Sequence, residues 1–376
     1  MDSLKKALQN AKHDTTRLRI YLAIGDSCDV EKNLLYALPA LKIADNLLAQ
    51  TSDVKVRKRL LEQKIGAFNL ISLYYSASSK TDWNKVMECE KEILKIHEDA
   101  KDTAKIIEGY RGLSWYYLST GNFPKAIEFI QKALTVSKEM NYKKGTALCL
   151  AQLGDMYRDQ GENTQALENY QNALLILSKT KDTNDLFNVL GAVGGFYYTL
   201  HNTEKALEYY NRLIELCNAK KDIEHNVGSV YKWIGIVYRD NKDYENSLLN
   251  YKKSLSIVEG KDWVQEMIVL DAIGEVYNEM GDFTKAIEYH SKAIKIAERL
   301  KSEEDLGRSY TFLARVYFKQ KKYKSAHEYS VLGLSISKKN ANINPVKEAE
   351  LLASQIDSAS GDGMGAYSHY KEYISL

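Results

Sequence analysis

Between residues 150 and 174 the apolar positions form two stripes separated by a polar turn. Leu150, Leu153, Gly154 and Tyr157 stand at i, i+3, i+4 and i+7, which gathers them on one face of a helix. After Gly161, Ala166, Tyr170, Ala173 and Leu174 make a second stripe of helical spacing. The pattern predicts two antiparallel amphipathic helices whose shared seam is fully buried only when neighbouring pairs stack on it.

The pair recurs. Leu113-Ser114-Trp115-Tyr116-Tyr117 precedes Gly121-Asn122-Phe123-Pro124-Lys125-Ala126; Leu153-Gly154-Asp155-Met156-Tyr157 precedes Gly161 and Ala166; Ile273-Gly274-Glu275-Val276-Tyr277 precedes Gly281-Asp282-Phe283-Thr284-Lys285-Ala286. The small residue after the turn falls at Ala126, Ala166, Ala206, Ser247, Ala286, Ala326 and Ala366, at intervals of 40, 40, 41, 39, 40 and 40 residues. Val86 extends the series by one interval of 40, and Ala37, with Ile24, Gly25 and Cys28 ahead of it, begins a degenerate unit 49 residues earlier. The expected organisation is therefore 1–60, N-terminal helices with one degenerate unit, followed by 61–376, eight units in one continuous solenoid. Gly154, Gly194, Gly235, Gly274 and Ala314 share a register inside the first helix of their units. Glycine weakens a helix by about 1 kcal/mol relative to alanine, so its recurrence there implies close helix approach.

Proline marks the boundaries. Pro124 follows the Gly121-Asn122-Phe123 turn and suits a helix start, Asn344-Pro345 reads as another cap and start, and Pro39 should kink or shorten the helix it lies in. Only three prolines occur against 27 tyrosines, which favours long helices with aromatic packing positions.

Charge and cysteine content narrow the function. Fifty-two basic and 50 acidic side chains leave +2 overall, too little for a general field attracting nucleic acid. Cys28, Cys89, Cys149 and Cys217 lie about sixty or more residues apart, which excludes CxxC spacing and reads as small buried apolar residues. No run of eighteen apolar residues suggests a membrane span, and the opening Met1-Asp2-Ser3-Leu4-Lys5-Lys6 lacks a signal core.

Candidate chemistry is sparse. His13, His97, His201, His225, His290, His327 and His369 form no HExxH and no His–Cys pair at helical spacing, so no metal site is expected. Gly191-Ala192-Val193-Gly194-Gly195 resembles a phosphate loop but falls mid-helix in the repeat register, and Gly361-Asp362-Gly363-Met364-Gly365 falls in the last unit's turn. No catalytic residue and no cofactor is expected.

The series Leu-Gly, Tyr, Gly-Asp/Asn-Phe, Ala, aromatic, Ala over residues 20–376 resembles the tetratricopeptide repeat (TPR) family in a long variant, with units of 40 residues in place of 34 and without the closing proline. The resemblance implies an all-α, right-handed superhelical solenoid of helix-turn-helix repeats and a protein- or peptide-binding role. In that family the first helices line the concave surface, and side chains two before and one after the Tyr position project toward a ligand. Carried onto this chain, the rule selects Trp115, Asp155, Arg158, Tyr198, Arg239, Glu275, Asn278, Arg315 and Phe318, with Glu108, Arg111, Asn188, Lys232, Asp271 and Arg308 on the same face. The ordered Lys/Asn clamp of chaperone-tail-binding members is missing.

Both ends of the sequence are similar to TPR sensor regions of bacterial histidine kinases and nucleotide cyclases. This implies the sensory or scaffold part of a signal-transduction protein, on the outer side of a bacterial membrane and linked to an output domain. The alternative is a free-standing cytoplasmic peptide receptor of the Rap quorum-sensing type. An enzyme with a site on the solenoid is the third reading.

Overall fold

The computed structural model describes residues 2–77, 81–180, 182–220, 223, 226–339 and 343–376, the backbone alone at 343 and 344. Among these residues there are nineteen α-helices and no strand, and the chain divides into two compact units, Met1–Val189 and Leu190–Leu376.

The first unit holds α1 (Asp2–Asn10), α2 (Asp14–Ser27), α3 (Asn33–Gln50), α4 (Val54–Ala77), α5 (Trp83–Asp99), α6 (Thr103–Ser119), α7 (Phe123–Glu139), α8 (Lys143–Asp159), α9 (Asn163–Leu177) and the start of α10 (Thr183–Thr199). Even-numbered members from α2 onward are the first helices of pairs, and odd-numbered ones the second. Residue 60, the expected edge of the degenerate segment, lies inside α4, whose 24 residues account for the long 49-residue interval. Pro39 does not shorten its helix: α3 runs on to Gln50, because Ala37, Ala40 and Ala44 are fully buried on its packed face and offset the one lost hydrogen bond.

Turns follow a simple rule. The residue before the N-cap takes a left-handed conformation, at Gly121 (φ +75°) and Gly161 (φ +77°) freely and at Lys101 and Asn141 with strain. Asp82, Asp102 and Asn122 then cap α5, α6 and α7 with their side-chain oxygens, and Pro124 occupies the first turn of α7 as expected.

The register of small residues has a direct cause. A Cβ placed on Gly154 would lie 2.7 Å from the ring of Tyr170, which is fully buried sixteen residues later on α9. In the preceding pair a serine holds the position, and the Ser114 hydroxyl donates to the carbonyl of the anchor Ala126 at 2.8 Å. The Tyr position stacks on the second helix, Tyr117 on Phe129 at 5.3 Å, with Lys125 Nζ over the Tyr117 ring at 5.2 Å.

The second unit continues α10 from Leu190 and adds α11 (Thr203–Ala219), α12 (Val227–Asp240), α13 (Tyr244–Val258), α14 (Trp263–Met280), α15 (Phe283–Leu300), α16 (Glu303–Lys319), α17 (Tyr323–Lys339), α18 (Ile343–Ser360) and α19 (Gly363–Ser375). The same contacts recur. Added Cβ atoms on Gly194, Gly235 and Gly274 would meet Tyr210, Tyr251 and His290 at 2.5–2.7 Å. Where the anchor is Ser247, its hydroxyl donates to the Gly235 carbonyl at 2.8 Å. Tyr197 on Tyr209, Tyr277 on Tyr289 and Tyr317 on Tyr329 repeat the stacked rings. Gly191–Gly195 lies within α10, and Gly361 (φ +92°) forms the last turn, so neither glycine cluster is a phosphate loop. Asn344 lies in the first turn of α18, but its side chain and His225 lie outside the described residues.

The terminal helix α19 buries no residue of its own; the Ser354 hydroxyl donates to its Ala366 carbonyl at 2.8 Å, and polar side chains of α18 join it and α17. Glu350, fully buried on α18, meets Lys338 Nζ at 2.6 Å and His369 Nδ1 at 2.5 Å, while Asp357 meets His327 Nδ1 at 2.9 Å. Of the cysteines, Cys89, Cys149 and Cys217 are buried and Cys28 is half-buried; all four are free. Burial pushes the Cys89 and Cys149 thiols up to about 11, which leaves them protonated and unreactive.

If the glycine register sets the helix approach, Gly154→Leu should lower stability by about 1–3 kcal/mol through overpacking against Tyr170. The exposed Glu168→Leu should change it by less than about 0.5 kcal/mol. Equal melting shifts in thermal denaturation would refute the register.

Candidate functional site

The expected ligand-facing residues lie on the first helices in both units, and most already have protein partners there. In the first unit, Arg111 on α6 reaches α8: its Nε donates to Gln152 Oε1 at 3.2 Å, and Gln152 Nε2 returns a bond to the Arg111 carbonyl at 3.1 Å. Lys144 on α8 pairs with Asp185 on α10 at 2.8 Å and with Asp182 at 3.2 Å. Asp155 accepts from Tyr170 Oη at 2.7 Å and from Arg158 at 3.0 Å, and Arg158 also holds Asp159. Burial raises the Asp155 carboxyl above its ordinary range, with Tyr170 and Arg158 pulling the other way. Glu108 is exposed and bound to Lys105, Asn188 is exposed, and Trp115 is 52% exposed against the rings of Trp83 and Tyr116.

In the second unit the links between first helices are denser. Tyr198 on α10 donates to Asp240 on α12, and burial together with that carboxylate pushes its phenol up to about 12. Lys232 on α12 donates to Gln265 on α14 at 2.8 Å, and Glu275 on α14 receives Arg315 from α16 at 2.7 Å. Glu279 receives Lys319 at 2.9 Å. Arg308 is tied to Asp305 within α16, and Phe318 packs on Tyr323. Asp271 departs from its expected ligand-facing role. It is 7% exposed and accepts from Ser309 Oγ at 2.8 Å with His290 Nδ1 also at 2.8 Å, because the seam ring at this position is an imidazole that needs a polar partner.

Some polar groups on or beside this face lack a full set of partners among the described residues. Asn278 is 1% exposed, yet neither its amide oxygen nor its amide nitrogen has a hydrogen-bond partner among the described residues. Tyr251 Oη, fully buried, likewise lacks one; it influences the guanidinium of Arg239, which otherwise holds Asp240. Among the described residues the Lys232 ammonium has the neutral Gln265 amide as its hydrogen-bond partner, and burial lowers it from the ordinary 10.5. Asn278 on α14 and Tyr251 on α13 are enclosed by the protein, while Lys232 on α12 is half-buried.

Sequence reasoning found these positions by register but missed their partners Gln152, Asp240, Gln265 and Ser309. The available signal was the separation of about 40 residues between complementary polar side chains, one repeat apart on successive first helices. Among the described residues, no three His, Cys, Asp or Glu side chains converge as a metal site would require. No helix among them is long and apolar enough to cross a membrane. The arrangement can offer hydrogen bonds, charge and aromatic faces to a bound chain.

A tetratricopeptide repeat family model matches residues 146–219, 226–299 and 265–339, which together make half of the chain. Tetratricopeptide repeat protein 29 of Trypanosoma brucei brucei is 24% identical over 227 residues, 58% of this chain and 47% of its own length. The transcriptional activator NprA of Geobacillus stearothermophilus is 26% identical over 230 residues, 58% of this chain and 54% of its own. The chain thus spans about half the length of these curated relatives. Among solved structures, the apo form of RapI superposes with a TM-score of 0.59 at 16% identity, covering 96% of both chains. A signal transduction ATPase with a tetratricopeptide repeat sensor, from Pyrococcus horikoshii, superposes with 0.58 at 15% identity, covering 97% of this chain and 53% of that one. These likenesses describe the fold.

The Lys232 environment makes a signed prediction. Its folded-state value is depressed, so a half-buried ammonium weakens the fold at neutral pH, and the penalty fades as pH rises through that depressed value toward 10.5. Lys232→Met should therefore raise the melting temperature at pH 7, by a margin that shrinks at pH 10. A lower melting temperature at pH 7 would mean that the Gln265 contact outweighs desolvation.

Proposed function

The chain belongs to the tetratricopeptide repeat family, and from that premise we propose that it is a protein- or peptide-binding module, the sensory or scaffolding part of a bacterial signal-transduction protein. One observation supports the binding face: the guanidiniums of Arg158, Arg239 and Arg315 stand on first helices, each about a third exposed and held by a carboxylate. A held guanidinium keeps further N–H donors for the carbonyls or carboxylates of an extended partner. Arg239 and Glu275 nearby supply charges of both signs, and Arg315 steadies Glu275. On the first-helix faces Trp115 within the first unit and Tyr198 within the second are further proposed contacts. We propose eight such units from residue 61 onward, after the degenerate one. No bond-making step is assigned to these residues.

Support for the sensory role comes from the likeness to 53% of the Pyrococcus signal transduction ATPase, a protein with a tetratricopeptide repeat sensor. The second reading is a free-standing regulator in the cytoplasm, favoured by the likeness that spans 96% of both this chain and RapI. Both readings place the ligand on the same face.

The test is alanine substitution at Arg158 and Arg239, with binding measured to a partner isolated by affinity capture. Each true anchor should account for about 2 kcal/mol, roughly a thirtyfold loss in affinity. Charge reversal at Lys132 or Glu168, on second helices, serves as the control. Binding lost in the controls and retained in both alanine variants would move the interface to the second helices.

A further inference from the structure

The first unit contains an open cleft of ≈ 500 Å³ between the first helices α4 and α6, floored by α5, and its chemistry is unlike that of the neighbouring repeats. Two glycines make room for it. Gly109 and Gly112 line the cleft, and a Cβ on Gly112 would meet nothing within 4 Å. One repeat later the equivalent of Gly112 is Gln152, which crosses to the neighbouring first helix and closes the gap. Between α4 and α6 the Ser72 hydroxyl meets the Tyr116 phenol deep in the cleft, and at the Gly112 position no side chain crosses as Gln152 does from α8 to α6.

The walls and floor carry aromatic rings and one unmatched charge. Trp115 and Tyr116 form one side, their rings 5.5 Å apart, with Trp83 behind them at 6.5 and 5.7 Å. Glu90 rises from α5 into the floor, half-buried, and its only hydrogen-bond partner among the described residues is the Ser72 hydroxyl at 3.2 Å. No lysine, arginine or histidine among those residues pairs with it. Lys105 at the rim is occupied by Glu108 at 2.8 Å. A carboxylate removed from water without a counter-charge is unfavourable, and an aromatic wall attracts a cation through its ring faces.

We propose that this cleft seats one basic side chain, a lysine or arginine of the bound peptide, with its cationic head on Glu90 and its stem along Trp115 and Tyr116. The assignment rests on the protein-binding reading above and gives it a ligand class. Both groups on the floor fit it. Burial pushes the Glu90 carboxyl up, only partly offset by Ser72, and pushes the Tyr116 phenol up, with the Glu90 charge adding to the rise. A bound cation would relieve both.

The experiment uses the full chain and four capped tripeptides, acetyl-Gly-X-Gly-amide with X as lysine, arginine, norleucine or glutamate. The indole N–H signals of Trp83, Trp115, Trp233 and Trp263 are followed by NMR. The lysine and arginine peptides should give saturable shifts at Trp83 and Trp115 and none at Trp233 or Trp263. Affinity should fall at least tenfold in Glu90→Gln, which keeps the acceptor for Ser72, and in Trp115→Leu, whose parent ring is half exposed and whose fold should be unaffected. Equal binding of norleucine would make the cleft merely apolar, preferred binding of glutamate would make it a basic site, and no saturable shift with any peptide would make it no site; each overturns the proposal. If it is overturned while Arg158 and Arg239 remain necessary for partner binding, the cleft assignment fails and the binding-module reading stands.

Discussion

A glycine beneath a ring sixteen residues later is the constraint from which the rest of the structure follows. It sets how near the two helices of a pair approach, at Gly154 and Tyr170, Gly194 and Tyr210, Gly235 and Tyr251, and Gly274 and His290. The ring spans the seam, so its polar end arrives at the face of the first helix. Tyr170 Oη reaches Asp155, His290 Nδ1 reaches Asp271, and Tyr251 Oη influences Arg239. The residue that closes the packing therefore also tunes the groups displayed for recognition. Where the small position is Ser114 or Ser354, a hydroxyl bond to the anchor residue's carbonyl twelve positions on locks the seam instead.

A second layer of order comes from polar contacts between successive first helices. Pairs such as Arg111 with Gln152, Lys232 with Gln265 and Glu275 with Arg315 join residues 33 to 41 apart and orient side chains that would otherwise be mobile. Held side chains lose less entropy on binding, which favours affinity. Lys232 and Glu90, half-buried and without an ion-pair partner among the described residues, are places where the fold gives up stability. A bound chain that supplies the opposite charge would offset that cost.

Much of this was legible before any coordinates. The 40-residue interval placed the anchors and the small-residue register, since both repeat often enough for local ambiguity to average out. Pro39 misled because its cost was judged locally, while Ala37, Ala40 and Ala44 pack the helix through it. Register also placed Asn278 and Lys232 on first helices, but could not give their burial. Whether Asp271 faces a ligand or a buried imidazole depends on His290 replacing tyrosine in the seam, a tertiary effect. Glu90 escaped notice because it lies on a second helix, and only the room left by Gly109 and Gly112 brings it into a cleft.

The account's central claim is that partners are held by the first-helix faces and not by the second helices. Its most direct measurement places a photo-crosslinking amino acid singly at Asn188 and Arg308 on first helices, and at Lys132 and Glu168 on second helices, in the full chain with its captured partner. The account predicts covalent adducts from the first two positions and none from the others. Adducts confined to Lys132 and Glu168 would contradict it.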